Sequence, residues 1–185
     1  TAFAPNTGTQ DVRDIEAAKK VVMMLDSTCD IVIVSCHMGG EGSTKTHVTR
    51  ATEMFLGENR GNPYAFSHAV IDAGADILFG HGPHVTRAIE LYKDRLIIYS
   101  MGNFCTYSRF NLKGNAGYAP IIHANLDRKT GKFLSGKIIP IVQLGEGGPS
   151  LDPNKQVITE MQTLTKTDFP ETKIEILDDG TIRRK

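Results

Sequence analysis

The chain has 185 residues, 40% of them hydrophobic, which is enough for one sizeable core and one domain. Its 21 basic and 21 acidic residues cancel, so no global field draws it to nucleic acid or to an anionic membrane. No apolar run approaches the length of a bilayer span. The cysteines Cys29, Cys36 and Cys105 are odd in number and lack metal-knuckle spacing, which argues against a disulfide framework. No charged-then-apolar leader is visible, and the opening Thr1 points to a processed or truncated product.

Asp11 is placed to cap a helix whose apolar positions Ile15, Ala18, Val22 and Leu25 recur at three- and four-residue spacing. That helix should stop near Ser27, because residues 30–35 are short, apolar and β-branched. Such a run reads as a central parallel strand, buried on both faces. The pattern is lost over residues 39–61, apart from a short helix expected at 48–56. Asn62 and Pro63 read as the N-cap and first residue of a helix running through Phe66, Val70 and Ile71 to Gly74. Residues 76–79 form a second buried strand, and the order helix, strand, helix, strand implies an α/β sheet with crossover connections.

A hairpin follows, residues 87–92 and 95–100 flanking Lys93-Asp94. After a glycine- and asparagine-rich loop at 101–117, residues 118–126 and 132–144 form a second hairpin. Asp152-Pro153 opens a helix with Val157, Met161 and Leu164 as its apolar stripe. A terminal hairpin turns at Asp178-Asp179-Gly180. No repeat or linker divides the chain.

Chemistry concentrates where two strands run into histidine. The first ends Val34-Ser35-Cys36-His37-Met38-Gly39-Gly40-Glu41, the second Phe79-Gly80-His81-Gly82-Pro83-His84. In open α/β sheets ligands gather at the carboxyl ends of strands, and imidazole is the commonest transition-metal ligand. His37, His81 and His84 are therefore candidate metal ligands, expected within about 10 Å of one another. The alternative is a structural turn whose imidazoles bond the backbone. Glu41 could act as a ligand, a general base or a carboxylate orienting His37, or be a solvated loop charge. Asn103 could bind substrate through its amide or bond its own backbone in a turn. Arg87 could steer a phosphate or carboxylate, or be a surface arginine at a strand end. Cys36 alternates with His37 and should pack inward. His47, His68 and His123 have no partners in the sequence.

Four blocks together resemble the bacterial capsule-synthesis family CapA, the poly-γ-glutamate synthesis proteins. They are His37-Met38-Gly39-Gly40-Glu41, Ala69-Val70-Ile71-Asp72-Ala73-Gly74-Ala75-Asp76, Gly80-His81-Gly82-Pro83-His84-Val85 and Tyr99-Ser100-Met101-Gly102-Asn103-Phe104. Met38 stands where family members usually carry an aromatic residue, and residues 42–64 are longer than in many relatives. The resemblance implies a layered α/β fold similar to calcineurin-type metallophosphoesterases. The family's aspartate-bearing first strand and asparagine–histidine motif are not found, so residues 1–185 read as a single carboxy-terminal part-domain.

By the same resemblance the chain acts in capsule or exopolymer (poly-γ-glutamate) biosynthesis, as a metal-dependent hydrolase of phosphoester or amide bonds. His37 and Glu41 would be catalytic, and Asn103 and Arg87 would face substrate. His37, His81 and His84 would hold one or two divalent ions (Mn, Zn or Fe) in a site incomplete in this chain. The alternative is a non-catalytic polymer-handling or export-assisting subunit on the same fold. The implied partners are a polyanionic polymer or phosphoester substrate, and the missing amino-terminal half or a second chain, with self-association and no nucleic acid. The implied location is extracytoplasmic, at the cell surface.

Overall fold

The first helix, α1 (Ile15–Asp26), is opened by Asp14, whose carboxylate accepts from the Ala17 backbone N–H at 3.0 Å. Asp11, the expected cap, instead closes a turn on the backbone and guanidinium of Arg13. It lies too far upstream to reach the free N–H groups of the first turn. This computed structural model describes residues 9–107 and 110–185. Ser27 ends α1 and donates its hydroxyl to Met24 O at 2.7 Å.

Strand β1 (Ile33–His37) follows. Residues 48–56, expected as a short helix, instead lead into a small hairpin of β2 (Met54–Phe55) and β3 (Glu58–Asn59). Leu56 and Gly57 at its tip both have positive φ, the backbone of a two-residue turn matched to strand twist. Helix α2 (Pro63–Asp72) starts as its sequence indicates, with Asn62 Oδ1 accepting from Ala65 N at 3.0 Å and proline in the first turn. Then come β4 (Ile77–His81), β5 (Ile89–Tyr92) and β6 (Arg95–Ile98).

These strands form one sheet in the order β1-β4-β6-β5, with β1, β4 and β6 parallel and β5 antiparallel to β6. The period-two alternation of strands sends neighbouring residues to opposite faces. Leu78 and Ile97 join Val22, Phe66 and Val70 in a core against α1 and α2. Ile77, Leu96 and Ile98 join a second core on the other face. That core is closed by β7 (Tyr118–Leu126), β8 (Phe133–Gln143), α3 (Gln156–Asp168), β10 (Ile174–Ile176) and β11 (Thr181–Arg184), with Phe133, Ile138, Met161 and Ile182 inside. The second sheet runs β10-β11-β8-β7, and a short unforeseen strand, β9 (Pro149–Leu151), also pairs with β8. All three hairpins expected beyond residue 86 are present.

Among the described residues β1 has one strand neighbour, β4, and nothing pairs with its outer side. Ile33 is 61% exposed. An apolar groove of about 690 Å³ runs along β1, lined by Val32, Val34, Val21 and Leu25 among others. The all-apolar run thus records a groove beside the strand as well as a core beneath it. No described helix is long and apolar enough to cross a membrane.

Candidate metal centre

β1 and β4 lie side by side, with Cys36 opposite Gly80 and His37 opposite His81. Beyond their ends the two loops are stitched together, Met38 N donating to His81 O at 2.8 Å and Gly42 N to Pro83 O at 3.0 Å. The stitch needs glycine at position 82. Its φ is +121°, and a Cβ there would fall 2.5 Å from Met38 O. The turn brings His84 back towards the end of β1, where one ligand atom each from His37, Glu41 and His84 lie within 4.8 Å of one another. His84 Nε2 is 3.8 Å from Glu41 Oε2. The His37 and His84 rings meet edge to face, 6.2 Å between centroids. His81 stays outside this group even though it is the register partner of His37. The chain reverses at Gly82-Pro83, so the second loop histidine reaches Glu41 and the first does not.

Charged side chains around the loops hold this arrangement. Arg60, almost buried, donates from Nη2 to Glu41 Oε1 at 2.5 Å and from Nη1 to Glu58 Oε2 at 3.0 Å. Glu53 accepts from Gly40 N at 2.7 Å and pairs with both terminal nitrogens of Arg87, at 2.9 and 2.8 Å. Arg87 also donates from Nε to Lys45 O at 2.7 Å, and its side chain is 0% exposed. The substrate-facing place expected for Arg87 is therefore corrected. Its planar fork is spent on Glu53 and on the backbone of the loop that carries Glu41.

Asn103 also sits inside, at 4% exposure. Its Nδ2 donates to His84 O at 2.9 Å and to Ala116 O at 3.0 Å, and its Oδ1 faces His84 Nδ1 at 2.8 Å. With both amide protons committed to carbonyls, Oδ1 can only accept, so His84 Nδ1 carries the proton. The Nε2 lone pair of His84 is then presented towards Glu41. This is the usual way an outer hydrogen bond selects the tautomer of a ligand histidine.

Burial lowers the pKa of His37 below its ordinary value, and nearby Arg60 and His84 add to that while Glu41 opposes it. Burial lowers His81 as well. Both rings are therefore biased towards the neutral, ligating form. Cys36 packs in the core as expected, and burial pushes its thiol up to about 12, which leaves it inert as a nucleophile. His47 and His68 have partners that the sequence hides, Asp168 Oδ1 at 2.7 Å and Glu90 Oε2 at 2.9 Å. Glu53 and Arg60 are the important residues sequence reasoning missed. They lie in the patternless stretch before Asn62, and no local spacing connects them to Glu41 or Arg87.

Residues 3–108 match the profile of the family described as Bacterial capsule synthesis protein PGA_cap. The chain belongs to this family. Its layered mixed α/β architecture, one mostly parallel sheet and one antiparallel, is the metallophosphoesterase-like fold of that family. The chain is 37% identical over 75 residues to the capsule biosynthesis protein CapA of Bacillus anthracis, covering 40% of this chain and 15% of that protein. It is 34% identical over 94 residues to a probable polyglutamine synthesis accessory protein of Mycobacterium tuberculosis, covering 51% of this chain and 21% of that protein. An uncharacterized protein of Sinorhizobium fredii is 60% identical over 40 residues, 22% of this chain and 9% of that protein. The chain thus matches only a minor part of the length of these relatives.

Proposed function

We propose that this chain carries part of a divalent-metal hydrolytic centre, acting on phosphoester or amide bonds in cell-surface capsule polymer synthesis. The observation that carries the reading is the convergence of His37, Glu41 and His84 within 4.8 Å. Two imidazoles and one carboxylate make a borderline donor set suited to Zn, Mn or Fe, and three protein ligands leave room for substrate. A divalent ion held there supplies Lewis-acid polarisation of a phosphoryl or carbonyl oxygen. The chain's own residues do the rest. Asn103 keeps the His84 Nε2 lone pair available, Arg60 fixes one oxygen of Glu41, and the Arg87–Glu53 pair holds the glycine loop between His37 and Glu41. His81 lies outside the cluster, and burial biases it to its neutral form.

A single carboxylate is a sparse anionic supply, so this part-domain takes metal weakly until another segment or chain adds ligands beside β1. The same sparseness favours a second reading, a non-catalytic subunit that handles a polyanionic polymer. Calorimetric titration with zinc and manganese, paired with turnover of p-nitrophenyl phosphate and of a γ-glutamyl amide, separates the two. Weak binding is expected, reduced about tenfold or more by His84→Ala. Metal binding without turnover of either substrate supports the polymer-handling subunit. Absence of binding, or binding indifferent to His84→Ala, sinks the metal centre.

A further inference from the structure

The loop after β6 carries three aromatic side chains that the fold leaves in contact with solvent. Phe104, Tyr107 and Phe110 are 46, 83 and 47% exposed, and among the described residues the other phenylalanines and tyrosines are more covered. Single exposed apolar side chains need no explanation, but three on one short segment mark a contact surface. Polar contacts fix where this segment runs. Asn103, just before Phe104, is buried and bonded to His84 O and Ala116 O. Beyond Phe104, the side chain of Gln143, a residue 1% exposed, accepts from Thr106 N and Thr106 Oγ1 at 3.0 Å and donates to Thr106 O at 2.6 Å. Buried amides thus hold the segment on both sides of Phe104 without drawing its ring into a core.

Phe110 reaches the candidate metal centre. Its ring lies against that of His84, 5.3 Å between centroids with the planes 49° apart. A residue serving only to cover His84 would be buried by that contact, whereas Phe110 keeps nearly half of its surface free. We propose that Phe110 is a specificity-determining residue of the metal centre, contacting an apolar group, a flat ring above all, carried beside the bond that reacts. The proposal rests on the metal reading of His37, Glu41 and His84 given above. That cluster is polar throughout, and binding sites commonly add apolar walls to a few such placed groups. Phe110 is the wall that the structure sets next to a ligand histidine.

The test compares two soluble carboxylates, benzoate and acetate, which offer a metal the same head group and differ in the ring. Each is titrated into the isotope-labelled, zinc-saturated chain, followed by NMR at the His84 and Phe110 rings, with zinc affinity measured separately by calorimetry. Wild type is expected to bind benzoate about three- to tenfold more tightly than acetate, the scale of one aromatic pair. Phe110→Ala should abolish that preference while leaving zinc and acetate affinities unchanged, and Phe110→Leu should keep part of it. A wild type without the preference overturns the proposal, as does a preference that survives Phe110→Ala. Equal loss of both carboxylates in Phe110→Ala also overturns it, because Phe110 would then only support His84. Zinc binding with no response to either carboxylate removes the proposal and leaves the metal centre standing, whereas absence of zinc binding removes both.

Discussion

The Arg87 and Glu53 side chains are 0% and 5% exposed and 2.8 Å apart. Removing one partner of such a pair strands a charge away from water, which costs about 3–5 kcal/mol, whereas replacing both by apolar groups is far milder. Arg87→Met should therefore lose about 3–5 kcal/mol in chemical denaturation, and Arg87→Met with Glu53→Leu should recover most of it. The recovery is expected to be incomplete, because Glu53 also accepts from Gly40 N and Arg87 donates to Lys45 O. A double variant as unstable as the single would mean that these backbone contacts, and not the ion pair, carry the effect. Asn103 teaches a related lesson at the same scale. Read as a turn asparagine or a substrate ligand, it does neither, and instead spans two segments to hold one tautomer of His84.

At the scale of elements, β1 combines an edge that no described residue pairs with, a groove of about 690 Å³ and the exposed side chain of Ile33. Apolar, unprotected edges template pairing with another chain, and nature usually blocks them with charge or a covering segment. We expect the isolated chain to associate as its concentration rises, and Ile33→Lys to shift that association to higher concentration. Static light scattering over a dilution series reads both. A chain that stays monomeric throughout would show that the groove alone does not recruit a strand. Gly80 belongs to the same element logic. A Cβ there would lie 2.3 Å from Tyr99 O, so the close approach of β4 and β6 that aligns the metal-centre loops depends on the missing side chain.

The whole molecule should register the Glu160 carboxyl in its pH dependence. Its value in the folded chain, about 7, lies above the ordinary 4.5, so between these values the folded state holds more protons than the unfolded one. Its stabilising contribution is complete below the lower value and lost as pH rises through the upper. From about pH 5 to about pH 8 this group should remove about 1–2 kcal/mol, after discounting for its partial exposure to solvent. His37 and His81 act in the opposite sense, since their lowered values favour the folded state as pH rises. The informative quantity is thus the difference between wild type and Glu160→Gln across that range in thermal or chemical denaturation. A difference that does not change with pH would place the folded-state carboxyl near its ordinary value.

Local chemistry suffices for much of this protein. Asn62-Pro63 starts α2, the β-branched run ending in His37 makes a strand, and Lys93-Asp94 and Asp178-Asp179-Gly180 make turns, because capping, φ restriction and side-chain alternation act over a few residues. The two strand-end histidine loops and their family are legible for the same reason, since short contiguous motifs carry them. Position within the sheet is another matter. A strand's own residues do not say whether a neighbour lies on both sides, so β1 reads as central although only β4 pairs with it among the described residues. Which histidine joins Glu41 is decided by the reversal at Gly82-Pro83 and by Asn103, 19 residues away. The charges that hold the loops, Glu53 with Arg87 and Arg60 with Glu41, meet across 34 and 19 residues. Such pairings have no periodicity to betray them, and they exist only once the sheet and its loops have brought the chain together.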